Sequence, residues 1–190
     1  WYSSHLPVFF LSSSIYAALA MVISVSTLAA RYLSRGADAT FLGSLDRLTL
    51  GLGKAVVIGI YVYLALKLIA VAHDDNWALL TTPYGYWFLV ELLGFVLLPA
   101  VIVSYGVKSG RAGMVRFGAF YAVLGILVNR MNVSIVAFNW NLPDHLHHIV
   151  PPWQEVAIVA AVATLHILIF RWIVNRMPVI REDASYQEPH

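Results

Sequence analysis

Five long apolar segments constrain most strongly what this chain can fold into. They run over residues 8–30, 48–72, 84–107, 115–139 and 153–175. Each exceeds the roughly 20 mostly apolar residues that an α-helix needs to cross a bilayer. Because lipid offers no partner for backbone polar groups, these segments predict an all-α fold, a polytopic membrane bundle of five transmembrane helices.

The composition agrees with a membrane location. Of the 190 residues, 60% are apolar or aromatic and 12% are charged, whereas about 25% are charged in soluble domains. The absence of cysteine excludes thiolate zinc sites and iron–sulfur clusters ligated by this chain. Any iron–sulfur cluster must therefore come from another subunit, and a net charge of +2 does not indicate a nucleic-acid partner.

Basic residues predict the orientation of the bundle. They concentrate in the first and third connections and in the tail, at Arg31, Arg35, Arg47, Lys108, Arg111, Arg116, Arg176 and Arg181. The second and fourth connections, HDDNWALLTTP and WNLPDHLHHIVPP, contain no lysine or arginine. By the positive-inside rule, we expect the N-terminus outside and the C-terminus in the cytoplasm.

The domain organisation follows from the same pattern. We predict a transmembrane region over 1–177 and a polar cytoplasmic tail over 178–190. The chain starts with WYSSHLP, which has neither an initiator methionine nor the basic segment of a signal peptide. We therefore expect this start to be an interior point of a longer polypeptide or a processed end. Thr82-Pro83 and Pro151-Pro152 are typical of helix N-termini and mark the third and fifth helices.

Four ionisable residues fall well inside the predicted helices, away from their ends: Lys67, Glu91, Arg130 and His166. Lys54 is nearer the cytoplasmic end of its helix, where its side chain can reach the interface. A charge at the bilayer centre costs about 2.5–3.5 kcal/mol, so such residues usually face a partner or a water-filled cavity. Glu91 lies about 10–12 Å below the outer start of its helix, and Arg130 about 13 Å below the outer end of the next. Antiparallel neighbours would place both at similar depth, which predicts a Glu91–Arg130 ion pair.

Asn129 and Asn132 flank Arg130 in the segment NRMNVS and are candidates to supply amide hydrogen bonds to that pair. Two interpretations stay open. In the first, the polar cluster holds helices together. In the second, the four ionisable residues line a hydrated route for protons or support a quinone headgroup.

The positions of the histidines do not favour haem. A bis-histidine site needs two imidazoles on facing helices, and only His166 falls well inside a predicted helix. The others lie at the outer face or in the tail: His5, His73, His145, His147, His148 and His190. We expect no haem on this chain, and we interpret the HLHH cluster as solvated or packed against a partner rather than as a metal site.

Aromatic residues gather at the predicted outer boundary. The members of this group are Trp1, Tyr2, Trp77, Tyr84, Tyr86, Trp87, Trp140 and Trp153. Such a belt is typical of membrane interfaces. A docked extracytoplasmic partner is the alternative explanation.

The order of motifs resembles the NrfD-like family. The segments WYSSHLPVFFLSSS, YWFLVELLGFVLLPAVIV and NRMNVSIVAFNW, followed by PPWQEVAI, carry the resemblance over nearly the whole chain. Within that family they are similar to the HybB-like cytochrome b-type membrane subunits of periplasm-facing nickel–iron hydrogenases. Pro152, Trp153 and Glu155 are family-pattern positions. Glu155 falls in the first turn of its helix, where the helix dipole favours a carboxylate.

The resemblance implies a function in respiration. Family members have about eight to ten helices, so these five would form the C-terminal half of a subunit of about ten. Members anchor an extracytoplasmic ferredoxin-like iron–sulfur subunit and exchange electrons with menaquinone or ubiquinone, and some are proposed to move protons. The quinone site is attributed mainly to the N-terminal helices, which leaves the quinone ligands of this chain unknown. Implied partners include catalytic metalloenzyme subunits such as nickel–iron hydrogenase, and the implied location is the bacterial or archaeal cytoplasmic (inner) membrane.

Two other functions stay open. Half of a secondary transporter or channel would be favoured by discontinuous helices. Pro99 and Gly125 lie in the third and fourth helices, although neither has a matching break elsewhere. The chain is also compatible with a noncatalytic scaffold of the same respiratory complex. In all three interpretations the chain alone is not an enzyme.

Overall fold

A computed structural model describes residues 5–32, 39–137 and 153–176. Contacts divide the chain into two units, Trp1–Asn141 and Leu142–His190. Five helices in the described ranges are long and apolar enough to cross a membrane, which confirms the predicted fold class. Their limits agree with the prediction to within a few residues wherever the structure describes them: Leu6–Arg31, Gly43–His73, Pro83–Lys108, Ala112–Asn132 and Trp153–Ile173.

The first unit contains most of the described helices. In chain order these are α1 (Leu6–Tyr32), α2 (Ala39–His73), a 3-10 helix (Asn76–Thr81), α3 (Pro83–Val90), a π-helical segment (Glu91–Leu97), α4 (Leu98–Lys108), α5 (Ala112–Asn132) and a second π-helical segment (Val133–Ala137). The second unit contains α6 (Trp153–Arg176). The 3-10 helix replaces part of the connection expected before α3. No strand occurs in any of the described ranges.

The predicted start of the third span is confirmed in detail. Thr82 caps α3, because its Oγ1 accepts a hydrogen bond from the Gly85 backbone N–H at 3.1 Å. Pro83 follows at the first helical position, where a missing N–H leaves no intrahelical bond unmade. Residues 151–152, which predict the start of α6, lie outside the described ranges.

A tight turn reverses the chain between α4 and α5. Gly110 has φ +66°, a left-handed conformation that glycine adopts without steric cost. The Arg111 N–H donates to the Gly106 carbonyl at 2.9 Å and the Gly110 N–H donates to the Val107 carbonyl at 3.3 Å, which is the Schellman pattern of a helix C-terminus. The third and fourth spans are therefore adjacent, as the depth argument for Glu91 and Arg130 assumes.

The core of the first unit lies among α1, α2, α4 and α5. Its most deeply buried side chains are mainly apolar and include Ile23, Val56, Ile60, Tyr63, Val103 and Val115. Large apolar side chains also cover the outer faces of the helices, as lipid contact requires. The core also contains buried polar side chains, and Ser13, Lys67, Glu91, Asn129 and Asn132 among them belong to the cluster described next.

Candidate functional site

Four predicted polar residues are deeply buried in the first unit. Glu91 is 3% exposed, Lys67 5%, Asn129 7% and Asn132 8%. Lys67 lies on α2, Glu91 begins the π-helical segment after α3, and both asparagines lie on α5. Burying polar groups is costly unless they are paired, so their partners indicate how the fold uses them.

Glu91 marks the point where the third span changes from α-helical to π-helical geometry. Such wide turns are rare and occur frequently at functional sites. The Phe95 carbonyl of this segment lies so close to Gly125 on α5 that a Cβ at Gly125 would collide with the carbonyl oxygen. Gly125 therefore allows the wide turn to pack against α5, about one helical turn before Asn129.

Two amides hold the Glu91 carboxylate. Asn129 Nδ2 donates to Oε1 at 2.5 Å, and Asn132 Nδ2 donates to Oε2 at 2.5 Å. Residues three apart on a helix share a face, so one stripe of α5 supplies both donors. A carboxylate has acceptor lone pairs on both oxygens, so Glu91 can accept from both amides at once.

Trp87 fixes the orientation of one of these amides. Its indole Nε1 donates to Asn132 Oδ1 at 3.1 Å, which leaves Asn132 Nδ2 to face Glu91. Trp87 lies on α3, four residues before Glu91, so both side chains lie on the same face of the third span. The interaction joins the third and fourth spans independently of the carboxylate.

Lys67 lies in an aromatic cage. Its Nζ is 4.8 Å from the centroid of the Phe9 ring, 5.6 Å from that of Tyr63 and 5.5 Å from that of Phe88. Cation–π attraction at such distances stabilises an ammonium group. Within the described ranges, Lys67 Nζ makes no hydrogen bond and has no carboxylate oxygen within 4.0 Å.

The predicted Glu91–Arg130 ion pair is wrong. Arg130 Nη2 instead approaches α1, where it lies 3.0 Å from Ser13 Oγ and 3.4 Å from the Phe10 carbonyl oxygen. The guanidinium also stacks over the Phe10 ring, 3.6 Å from its centroid. The reason is the direction in which each side chain projects around the axis of α5. Consecutive helical residues project about 100° apart, so Asn129 faces Glu91 while Arg130 faces α1.

Arg130 also has an unused donor. Its Nη1 is buried and makes no hydrogen bond in the part of the chain that the structure describes. Ser14 Oγ lies 3.4 Å from Nη2, so the neutral groups of α1 surround one end of the guanidinium. In place of the predicted ion pair, this contact links α5 to α1.

The remaining predicted residues that the structure describes belong to α6, which is part of the second unit. On α6, His166 Nδ1 lies 2.8 Å from the Val162 carbonyl oxygen, a contact within its own helix. Trp153 begins α6, and Glu155 falls in its first turn as expected. Pro152 lies outside the described ranges.

The histidine predictions are only partly covered by the structure. His5 and His73 form an edge-to-face ring pair with centroids 5.5 Å apart. The described residues contain no group of three or more histidine, cysteine or acidic side chains arranged to hold a metal ion. The HLHH cluster lies outside the described ranges.

Three contributors to the site were not identified from the sequence. The sequence places Trp87 in the interfacial aromatic belt, although its spacing of four residues from Glu91 also indicates that the two side chains share a helix face. Ser13 belongs to the triplet SSS in an apolar helix, which is a weaker indication of a polar contact. The Lys67 cage draws rings from α1, α2 and α3, and no local pattern predicts such a combination.

Together these contacts surround one carboxylate and two cations with polar and aromatic groups from four elements. They hold α3 to α5 and α5 to α1, so the interhelical role in the first interpretation has direct structural support. The described cluster has one more cation than anion, and both cations have donors without acceptors.

Comparison with known proteins places the chain in a family. Residues 1–139, which include the whole cluster, match the family described as Polysulphide reductase, NrfD. A protein from Nitratidesulfovibrio vulgaris (strain Hildenborough) is 43% identical over 190 residues, covering 100% of this chain and 49% of that protein. The chain thus spans about half the length of this curated relative, and no solved structure matches it. The chain is a multi-pass integral membrane protein that belongs to the NrfD polysulphide reductase family.

Proposed function

We propose that this chain forms part of the membrane subunit of a respiratory oxidoreductase complex, which anchors an extracytoplasmic iron–sulfur subunit and passes electrons between it and the membrane quinone pool. The family match over residues 1–139 carries this proposal. The five spans supply the anchor. Because none of the 190 residues is cysteine, the ligands of any iron–sulfur cluster lie outside this sequence.

We further propose hydrogen as the electron donor and a nickel–iron hydrogenase as the catalytic partner. The support is the resemblance of NRMNVSIVAFNW, followed by PPWQEVAI, to HybB-like subunits. The distribution of basic residues favours an N-terminus outside and a C-terminus in the cytoplasm. In this orientation the connection between α2 and α3 faces the iron–sulfur subunit in a bacterial or archaeal inner membrane.

The quinone ring fits poorly at Lys67. Its headgroup carbonyls need hydrogen-bond donors, and the Lys67 ammonium is one. However, three aromatic rings already occupy the surroundings of Nζ at 4.8–5.6 Å, where a quinone ring would have to lie. We therefore propose that the menaquinone or ubiquinone site lies mainly outside these residues. The polar cluster serves helix packing and, if protons move, proton exchange.

The transporter alternative receives no support from the described backbone. The third span passes through a π-helical segment rather than a break, and Pro99 lies in the first turn of α4. Gly125 lies within the continuous helix α5. A noncatalytic scaffold of the same complex predicts identical partners, so a quinone assay must separate it from the main proposal.

The test is quinone reduction by the complex purified from its native membrane through a tag on this subunit. With hydrogen as donor, a soluble menaquinone analogue should be reduced by the intact complex. The matched control is the same complex after this subunit has been dissociated by detergent. Equal quinone reduction with and without the subunit would favour the scaffold. Reduction with a donor other than hydrogen would contradict the hydrogenase assignment alone.

A further inference from the structure

A groove lies on the surface of α2 near the start of that helix. Its volume is about 580 Å³, and it is lined by Ser44, Arg47, Leu48, Gly51 and Leu52. The last four residues follow Ser44 by three, four, seven and eight positions, so all five share one helix face. The volume lies within the roughly 300–1,000 Å³ of ordinary ligand sites. We call this feature the α2 groove.

Gly51 keeps the floor of the α2 groove open. A Cβ at Gly51 would have no heavy atom of the surrounding structure within 4 Å. Leu48, one turn earlier, is 62% exposed, whereas Leu52 packs against the buried core of the first unit. The groove is therefore an accessible surface with mainly apolar walls, and Arg47 is its charged member.

The α2 groove lies at the boundary of the membrane. The span formed by α2 begins at Gly43, so at 1.5 Å per residue Arg47 lies about 6 Å and Leu52 about 13–14 Å from the end of the span. From that depth the long side chain of an arginine reaches the headgroup region, while its stem contacts apolar groups. The apolar lining lies deeper, at the level of the acyl chains.

The charge at this end of the bundle favours an anionic occupant. The end where α1 and α4 finish and α2 and α5 begin carries the basic residues Arg31, Arg47, Lys108, Arg111 and Arg116. Asp46, next to Arg47 in the chain, pairs with Arg116 at 2.5 Å. Within the described ranges, no carboxylate oxygen lies within 4.0 Å of the Arg47 guanidinium. Clusters of basic residues at a membrane surface attract anionic lipids.

We propose that the α2 groove binds one anionic phospholipid, with its phosphate at Arg47 and an acyl chain along Leu48, Gly51 and Leu52. A phospholipid matches the groove because it carries an anion at headgroup depth and an apolar chain below it. A guanidinium suits a phosphate because it can donate two parallel hydrogen bonds to its oxygens. The inference goes beyond the proposed function, since the site does not depend on the electron donor or on the quinone.

Lipid titration of the purified complex tests the proposal. The complex is delipidated in mild detergent and titrated with phosphatidylglycerol, and native mass spectrometry measures the affinity of the tightest bound lipid. Arg47→Gln should weaken this affinity about fivefold, the factor that corresponds to one basic residue near a membrane surface. Gly51→Leu, which fills the groove without a change of charge, should weaken it at least as much.

The matched control is Lys54→Gln, which removes an exposed lysine from the same helix outside the groove and should leave the affinity unchanged. Equal weakening by Lys54→Gln and Arg47→Gln would mean diffuse attraction by the basic end and would overturn the site. Unchanged affinity in Gly51→Leu would also overturn it. Phosphatidylcholine that binds as tightly as phosphatidylglycerol would overturn the role of Arg47.

A measurement on the wild type does not depend on the assembly of any variant. A cryo-electron microscopy map of the complex in lipid nanodiscs that contain phosphatidylglycerol should show elongated density along Gly51, with its head at the Arg47 guanidinium. A protein helix in the groove would overturn the proposal, because the occupant would then be a partner segment. A groove without density would overturn it as well.

Discussion

The two amide hydrogen bonds to Glu91 can be tested by exchanging the carboxylate and one amide between the third and fourth spans. In Glu91→Gln, one of the two side-chain positions that now accept an amide becomes a donor. Because Trp87 holds Asn132 with Nδ2 toward Glu91, the glutamine oxygen must face Asn132. The glutamine NH2 then faces the Asn129 amide, and the 2.5 Å hydrogen bond from Asn129 to a carboxylate oxygen is lost.

The cost can be worked from these contacts. Loss of a hydrogen bond to a charged group costs about 1.5–3 kcal/mol, which is the expected effect of Glu91→Gln. Asn129→Asp alone opposes two carboxylates, and two unit charges about 4 Å apart at an effective dielectric of about 20 repel by about 4 kcal/mol. In the double variant Glu91→Gln/Asn129→Asp, the glutamine NH2 donates to the new carboxylate, and the charge of the cluster is unchanged.

We therefore expect the double variant to be more stable than the summed costs of the two single variants by at least about 2 kcal/mol. The free energy of unfolding would be measured by titrating the detergent-solubilised complex with sodium dodecyl sulfate. Asp46→Asn, which breaks the partly exposed Arg116–Asp46 ion pair, is the control and should cost less than about 1 kcal/mol. If the losses in unfolding free energy of the two single variants simply add in the double variant, the contact between Glu91 and Asn129 is refuted.

Three other substitutions test separate contacts by the same unfolding assay. Trp87→Phe removes the indole donor to Asn132 and should cost about 1 kcal/mol; no change would mean that the indole does not orient the amide. Arg130→Ala should lower the free energy of unfolding by about 1.5–3 kcal/mol, because the contacts with α1 are lost. If Asn129→Asp lowers that free energy equally with and without the Arg130 side chain, Arg130 does not pair with Glu91. Gly125→Val should cost about 3 kcal/mol or more because its Cβ meets the Phe95 carbonyl, and normal stability would contradict the close packing of the π-helical segment.

Much of the fold could be predicted because membrane helices are specified by length and apolar composition. The Thr82-Pro83 start illustrates this, since both its cap and its proline act through local backbone geometry. The π-helical segment at Glu91 could not be predicted in this way. Its Phe95 carbonyl packs closely against Gly125, and a contact between residues so far apart in the chain leaves no local sequence pattern.

Several members of the candidate site could be predicted from the sequence, but their pairing could not, and His166 lies on α6 outside the cluster. Charged residues in apolar helices are costly, so Lys67, Glu91 and Arg130 stood out in the sequence. Depth along the helix axis predicts that Glu91 contacts Arg130. The contact also depends on the direction of each side chain around the axis, and Asn129 is the residue that faces Glu91. Direction depends on helix rotation, which tertiary packing sets.

The central claim is that this chain belongs to the membrane subunit of an iron–sulfur, quinone-linked complex. The most direct measurement is the subunit composition and iron content of the complex purified through this chain from its native membrane in a mild detergent. We expect a stoichiometric iron–sulfur subunit and a metal-containing catalytic subunit in the same particle. A homogeneous particle without iron and without either partner would contradict it.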